Sequence, residues 1–162
     1  MTRLVASVTV AAALLIAAPL AARDSLGVYD GWAAFKDASP LRCYAIAKAQ
    51  GSLPAPAYAT ISTWPDRKVR GALHLMLSRE VADKAPVRLV IGANRFTLVA
   101  KGRNAWAKDA RDDAAIIAAL RSASRMSVSA SSTKGGRFTD RYALAGVATA
   151  MDAATVGCAK RS

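Results

Sequence analysis

Apolar side chains fall on every second position through the centre of this chain, and that period restricts the fold more than any other feature. Val69, Gly71, Leu73, Leu75 and Leu77 share one parity, while Arg70, His74 and Ser78 occupy the other. Successive side chains of a strand point to opposite faces, so this is a strand with one face in a core and one in water. Val87, Leu89 and Ile91 repeat the pattern. After Gly92, Ala93 and Asn94 it resumes at Phe96 and Leu98 with Arg95 and Thr97 between, which reads as a β-hairpin. Later, Met126, Val128 and Ala130 alternate with Ser127, Ser129 and Ser131, and Lys134-Gly135-Gly136 turns the chain into Phe138, Tyr142 and Leu144 as a second hairpin.

Upstream, Gly27 to Phe35 holds Val28, Tyr29, Trp32 and Phe35 and reads as one opening strand ending at Lys36-Asp37; Leu41 to Ala47 reads as a second. Pro54 and Pro56 mark a loop before a strand from Tyr58 to Trp64, which Pro65-Asp66 closes. Between the two hairpins the period lengthens. Asp109 is placed to cap a helix with Asp112 and Asp113 in its first turn, Ile116, Ile117 and Leu120 on its buried side, and Arg121 and Arg125 at or beyond its end. Those charges complement the helix dipole at both ends, which gives the three carboxylates a structural use in place of acid–base work. A second short helix is expected over Val147 to Ala154, stopping at Gly157 and presenting Cys158. The expected class is therefore mainly β: a compact antiparallel β-sandwich-like domain with one or two short helices, after the central hairpin and near the C-terminus.

The N-terminus is set apart. Arg3 precedes an apolar and small-residue run from Leu4 to Ile16, followed by Ala17, Ala18, Pro19, Leu20, Ala21 and Ala22. A positive start, an apolar middle and small residues ahead of Arg23 and Asp24 are the parts of a secretory signal peptide, with cleavage expected after Ala21 or Ala22. The expected organisation is a signal peptide over residues 1–22 and one domain over residues 23–162. Export places the protein in the periplasm, at the cell surface or in the medium. There an even pair of cysteines, Cys43 and Cys158, is most simply a disulfide. A bridge between points so far apart in sequence stabilises by roughly 4 to 5 kcal/mol in the chain-entropy model.

The sequence contains no GxSxG elbow, HExxH, Walker loop, GxGxxG fingerprint or CxxC pair. One histidine, two cysteines and few carboxylates do not make a dedicated zinc cage, and neither metal nor cofactor is expected. His74 is the only imidazole, so any histidine-dependent hydrolase scheme passes through it. Trp32, Trp64 and Trp106 read as core or rim anchors.

Charge says more. Lys and Arg number 23 against 11 Asp and Glu, for a formal net charge of +12. Arg70, Arg88 and Arg95 take the outward parity of the central strands, with Arg79 or Lys84 extending that candidate basic face. Aligned positive charge attracts polyanions. Outside the cytoplasm these are lipopolysaccharide phosphates, anionic lipids, acidic glycans and acidic proteins, with peripheral membrane contact as one form of engagement. Nucleic acid is not expected, because no base-stacking motif accompanies the arginines.

The order of elements resembles that of the invasion-associated locus B family of exported alphaproteobacterial proteins. The points of likeness are the signal peptide; the aromatic opening Gly27-Val28-Tyr29-Asp30-Gly31-Trp32-Ala33-Ala34-Phe35; and the cysteine strand Leu41-Arg42-Cys43-Tyr44-Ala45-Ile46-Ala47. They continue in an Ala/Ile-rich helix from Ala114 to Leu120, a strand from Met126 to Ala130, and a closing stretch from Tyr142 to Met151. That family often carries one cysteine directly after its opening strand and another in a late Gly-Cys segment. Here Phe35 or Lys36 and Asn104-Ala105-Trp106 stand in those places. The resemblance implies a β-sandwich-like domain in the periplasm or at the cell surface, with no catalytic residue to carry over. The function expected is that of an exported non-catalytic binding or envelope-accessory protein involved in surface or host interaction. The alternative is a periplasmic hydrolase using His74.

Overall fold

The computed structural model describes residues 23–159; the expected signal peptide lies outside the described residues. The mainly antiparallel β class with two helices is as expected. The strands are β1 (Arg23–Tyr29), β2 (Trp32–Ala38), β3 (Leu41–Lys48), β4 (Tyr58–Trp64), β5 (Val69–Met76), β6 (Val87–Ile91), β7 (Asn94–Lys101), β8 (Asn104–Trp106), β9 (Arg125–Ser131) and β10 (Arg137–Ala143). Helix α1 (Ala110–Ser122) precedes β9 and α2 (Val147–Ala159) ends the described chain. A short 3-10 turn, Pro65–Arg67, links β4 to β5.

All strands belong to one ten-stranded sheet in the order β1-β2-β3-β4-β5-β8-β7-β6-β9-β10. β7 joins the two halves of this sandwich-like sheet: its first part, Asn94–Leu98, pairs with β6 and its second, Val99–Lys101, pairs with β8. One inner parity runs across the sheet. Trp32 and Ala34, Cys43 and Ala45, Ile61, Leu73 and Leu75, Leu89 and Ile91, Met126 and Val128 are all buried with Ile116 and Leu120 of α1. The two halves meet through polar contacts: Trp32 Nε1 donates to the Ala143 carbonyl at 2.9 Å, and the Ser78 N–H donates to Asp140 Oδ2 at 2.8 Å. Asp140 is fully buried, and the bond it accepts ties the segment after β5 to β10.

Helix α1 starts as its sequence dictates, with the Asp109 side chain accepting from the Asp112 N–H at 2.8 Å. Its Asp113 Oδ1 accepts from the Leu73 N–H at 2.8 Å. β8 pairs with β5 only at His74–Met76, so the Asp113 carboxylate satisfies a backbone donor that the short β8 leaves open. Burial pushes the Asp113 carboxyl above its ordinary range, the Leu73 bond opposing and the neighbouring Asp109 and Asp112 charges reinforcing the shift.

Cys43 of β3 and Cys158 of α2 form a disulfide with Cα atoms 5.7 Å apart, closing a separation of 115 residues. The bridge pins α2 across β1, β2 and β3, and Val147, Ala150, Met151 and Ala154 of the helix are buried against them.

Three local expectations are corrected. The opening segment is a hairpin and not a single strand: Tyr29 pairs with Trp32 around a two-residue loop, with Asp30 at φ 52. α2 does not stop at Gly157 but runs on to Ala159, because at that position the missing Cβ admits the Leu26 side chain; a methyl there would lie 2.5 Å from Leu26 Cδ1. Third, the parity of Arg70 is broken. Ser62 pairs with Ala72 but Trp64 pairs with Val69, so β5 carries an extra residue in a bulge containing Gly71 at φ 71. Arg70 therefore leaves the register of His74.

Candidate functional site

The outer parity of β6, β7, β9 and β10 carries the chemistry that the alternating sequence leaves in solvent. Pairing registers place these side chains on a grid. One row reads Arg141, Ser127, Val90, Arg95 across β10, β9, β6 and β7; the next reads Thr139, Ser129, Arg88, Thr97. Arg137 faces Ser131 at one end, and Arg125 faces Ala143 at the other. With strands about 4.8 Å apart and alternate residues about 6.8 Å apart along each, every arginine on the grid has another within two positions.

Arg88, Arg95, Arg125, Arg137 and Arg141 are all exposed. None belongs to an ion pair among the described residues, where the pairs are Arg23–Asp37, Lys108–Asp112 and Arg121–Asp152. No Asp or Glu occurs in β6, β7 or β9, and the only one in β10 is Asp140, which is buried on the inner parity. The face is thus unneutralised by its own strands, and its guanidiniums act together at short range. Half-buried Ser127 and Ser129 and the neighbouring Thr139 add hydroxyl donors between the arginines.

Of the expected basic face, Arg88 and Arg95 stand on this grid. Arg70 sits exposed at the β5 bulge with β8 and β7 between it and β6, and Arg79 lies exposed in the connection after β5. Lys84, also exposed, lies in that connection, in a left-handed turn at φ 58. Arg125, Arg137 and Arg141 were not anticipated. Their signal was present in the polar parity of Arg125, Ser127, Ser129 and Ser131 and of Arg137, Thr139 and Arg141. What the sequence did not carry is the pairing of β6 with β9, which joins the two hairpins into one surface.

Where β9 begins and β10 ends, a cleft of about 320 Å³ opens between Gln50, Val90, Ser124, Arg125, Ser127 and Arg141. Its frame is set by backbone bonds: the Gln50 N–H donates to the Arg141 carbonyl at 2.8 Å, the Gly92 N–H to the Arg125 carbonyl at 3.2 Å, and the Leu144 N–H to the Ser124 carbonyl at 3.0 Å. Behind it, Tyr142 is buried, and that burial, helped by the Asp140 charge, raises its hydroxyl far above the ordinary phenol range and keeps it protonated.

His74 lies elsewhere, on β5 between Thr60 and Trp106, with Nε2 at 3.0 Å from Asn104 Oδ1. That is its only side-chain hydrogen bond among the described residues. Trp32 is a core anchor as expected. Trp64 stacks under Arg42, whose Cζ lies 5.2 Å from the Trp64 ring centroid and 4.1 Å from that of Tyr44. Trp106 is 36% exposed beside exposed Val99 on the outer face, which makes it a surface side chain and not an anchor in the core.

Comparison with known proteins finds no matching family model, no matching curated protein and no matching solved structure.

Proposed function

We propose that this chain is an exported, non-catalytic binding or envelope-accessory protein whose outer face on β6, β7, β9 and β10 engages acidic partners of the cell envelope. The observation that carries the proposal is the grid of Arg88, Arg95, Arg125, Arg137 and Arg141 with no exposed carboxylate in the same strands. Export is supported by the signal-like residues 1–22 and by the Cys43–Cys158 bridge, since such bridges persist in oxidising compartments. The resemblance to the invasion-associated locus B family supports the same compartment and a role in surface or host interaction.

Binding of this kind is electrostatic and is tested by salt. The protein purified after export should bind vesicles of phosphatidylglycerol and phosphatidylcholine at low ionic strength and lose at least about tenfold in affinity as the Debye length contracts from about 30 Å at 0.01 M to about 8 Å at 0.15 M. Arg88→Gln with Arg95→Gln should weaken binding at low salt and flatten its salt dependence. His74→Ala should leave binding unchanged. Vesicle binding that ignores salt, or its absence at every ionic strength, refutes the proposal. A turnover lost on His74→Ala moves the reading to the hydrolase.

A further inference from the structure

Resting on that reading, we infer that the cleft between Arg125 and Arg141 is a subsite that seats one phosphate group, as a monoester or diester. Arg125 faces Ala143 across the β9–β10 pair, so Arg141 is its diagonal neighbour, about 7 to 8 Å away. Both arginines line the same cleft, neither has an ion-pair partner among the described residues, and the repulsion between their charges is relieved when an anion lies between them.

The remaining donors favour a tetrahedral oxyanion over a planar one. A carboxylate presents its two oxygens in one plane, the geometry that a single guanidinium fork matches. A phosphate offers oxygens in several directions, and this cleft supplies donors from several directions: Arg125 and Ser127 from β9, Arg141 from β10, Ser124 from the segment before β9, and Gln50 from the segment after β3. No carboxylate lines the cleft. At about 320 Å³ the space falls at the lower end of small-ligand sites, more than a bare oxyanion requires, which leaves room for the group to which the phosphate is esterified. The site is also held in place before a ligand arrives. The Arg141, Arg125 and Ser124 carbonyls each accept a backbone hydrogen bond from a different segment, so their side chains spring from a fixed frame.

The test uses the protein purified after export, with inorganic phosphate, succinate and phosphatidylglycerol vesicles as probes. Titration calorimetry should show phosphate binding more tightly than succinate. Arg125→Gln and Arg141→Gln should each weaken phosphate binding about tenfold or more, whereas Arg137→Gln, on the same face but at the far end of β10, should change it less than about twofold. Thermal melts of all three exposed-site variants verify the fold. No phosphate binding, equal losses in the three variants, or succinate binding as tightly as phosphate overturns the subsite. If phosphate does not bind while the vesicles bind in a salt-dependent manner that survives loss of Arg125 and Arg141, the subsite fails and the wider basic-face proposal stands. If phosphate binds in the cleft and vesicles do not bind at any salt, the subsite stands for soluble phosphate esters and the envelope proposal fails. Parallel losses for phosphate and vesicles assign the site to a lipid headgroup.

Discussion

Removing the Cys43–Cys158 bridge should be the most damaging pair of small substitutions in the molecule. The bridge closes a separation of 115 residues. In the chain-entropy relation that loop gives about 16 cal/mol/K of lost freedom in the unfolded chain, or about 4.8 kcal/mol at 25 °C. Cys43 and Cys158 are both buried, at 0% and 6% exposure, so replacing them by alanine adds a small packing loss of about 1 kcal/mol. For a domain of this size each kcal/mol shifts the melting midpoint by about 3 °C, so the Cys43→Ala, Cys158→Ala double variant should melt about 15 °C or more below the oxidised protein. The assay is thermal unfolding followed by circular dichroism, with the wild type run both oxidised and reduced. The reduced wild type should fall close to the double variant. Helix α2 should persist in the folded state at low temperature, because Val147, Ala150, Met151 and Ala154 still pack against the sheet. A double variant melting within about 3 °C of the oxidised protein, equivalent to about 1 kcal/mol, refutes the assignment of the bridge as the main restraint on the unfolded chain.

Two further substitutions probe the fold where the structure makes a sharp demand. Gly146 sits at φ 84 immediately before α2, and a Cβ there would collide with the Tyr29 carbonyl, so Gly146→Ala should cost about 3 kcal/mol or more in a urea melt. A loss under about 1 kcal/mol shows that the β1–β2 turn and the α2 start are not in contact. Asp113 has a carboxyl pKa raised chiefly by burial, so the folded state holds its proton to higher pH than the unfolded chain does. Its contribution to stability is then largest below the unfolded carboxyl range and falls as pH rises through the interval up to the folded value. Asp113→Asn keeps an oxygen acceptor for the Leu73 N–H and should remove that part of the pH dependence, as read from melts across the acid range; an unchanged slope contradicts the assignment.

Much of the local structure was legible because it follows from periodicity alone. The alternation around Leu73 and Leu75, Leu89 and Ile91, and Met126 and Val128 gives β5, β6 and β9, and the Asp109 cap with Ile116 and Leu120 one turn apart gives α1. The Cys43–Cys158 pair was also readable, since two cysteines in a chain expected to be exported have one simple solution. What was not legible depends on contacts distant in sequence. β8 is three residues long, too short to show a period, and its place between β5 and β7 is decided by the sheet closing over the core. Gly157 read as a helix stop because nothing nearby shows Leu26 packing against it. The opening hairpin was missed although Asp30-Gly31 between Tyr29 and Trp32 is a turn signal in its own right. For the candidate site, Arg88 and Arg95 were found by parity within one hairpin, but Arg125, Arg137 and Arg141 join them only through the β6–β9 pairing, and Arg70 departs because a single extra residue in β5 reverses its side.

The bond from the Gln50 N–H to the Arg141 carbonyl, with the Trp32 indole on the Ala143 carbonyl two residues on, has a consequence for the molecule among its own kind. Those carbonyls lie on the rim of β10 that a neighbouring chain would need in order to lengthen the sheet, and both are already occupied from within. At the opposite rim, β1 carries charged Arg23 and Asp24 and a kink at Gly27, which discourage addition there. The occupied end of β10 and the charged, kinked β1 thereby leave less free strand edge for stacking into filaments when the protein is crowded.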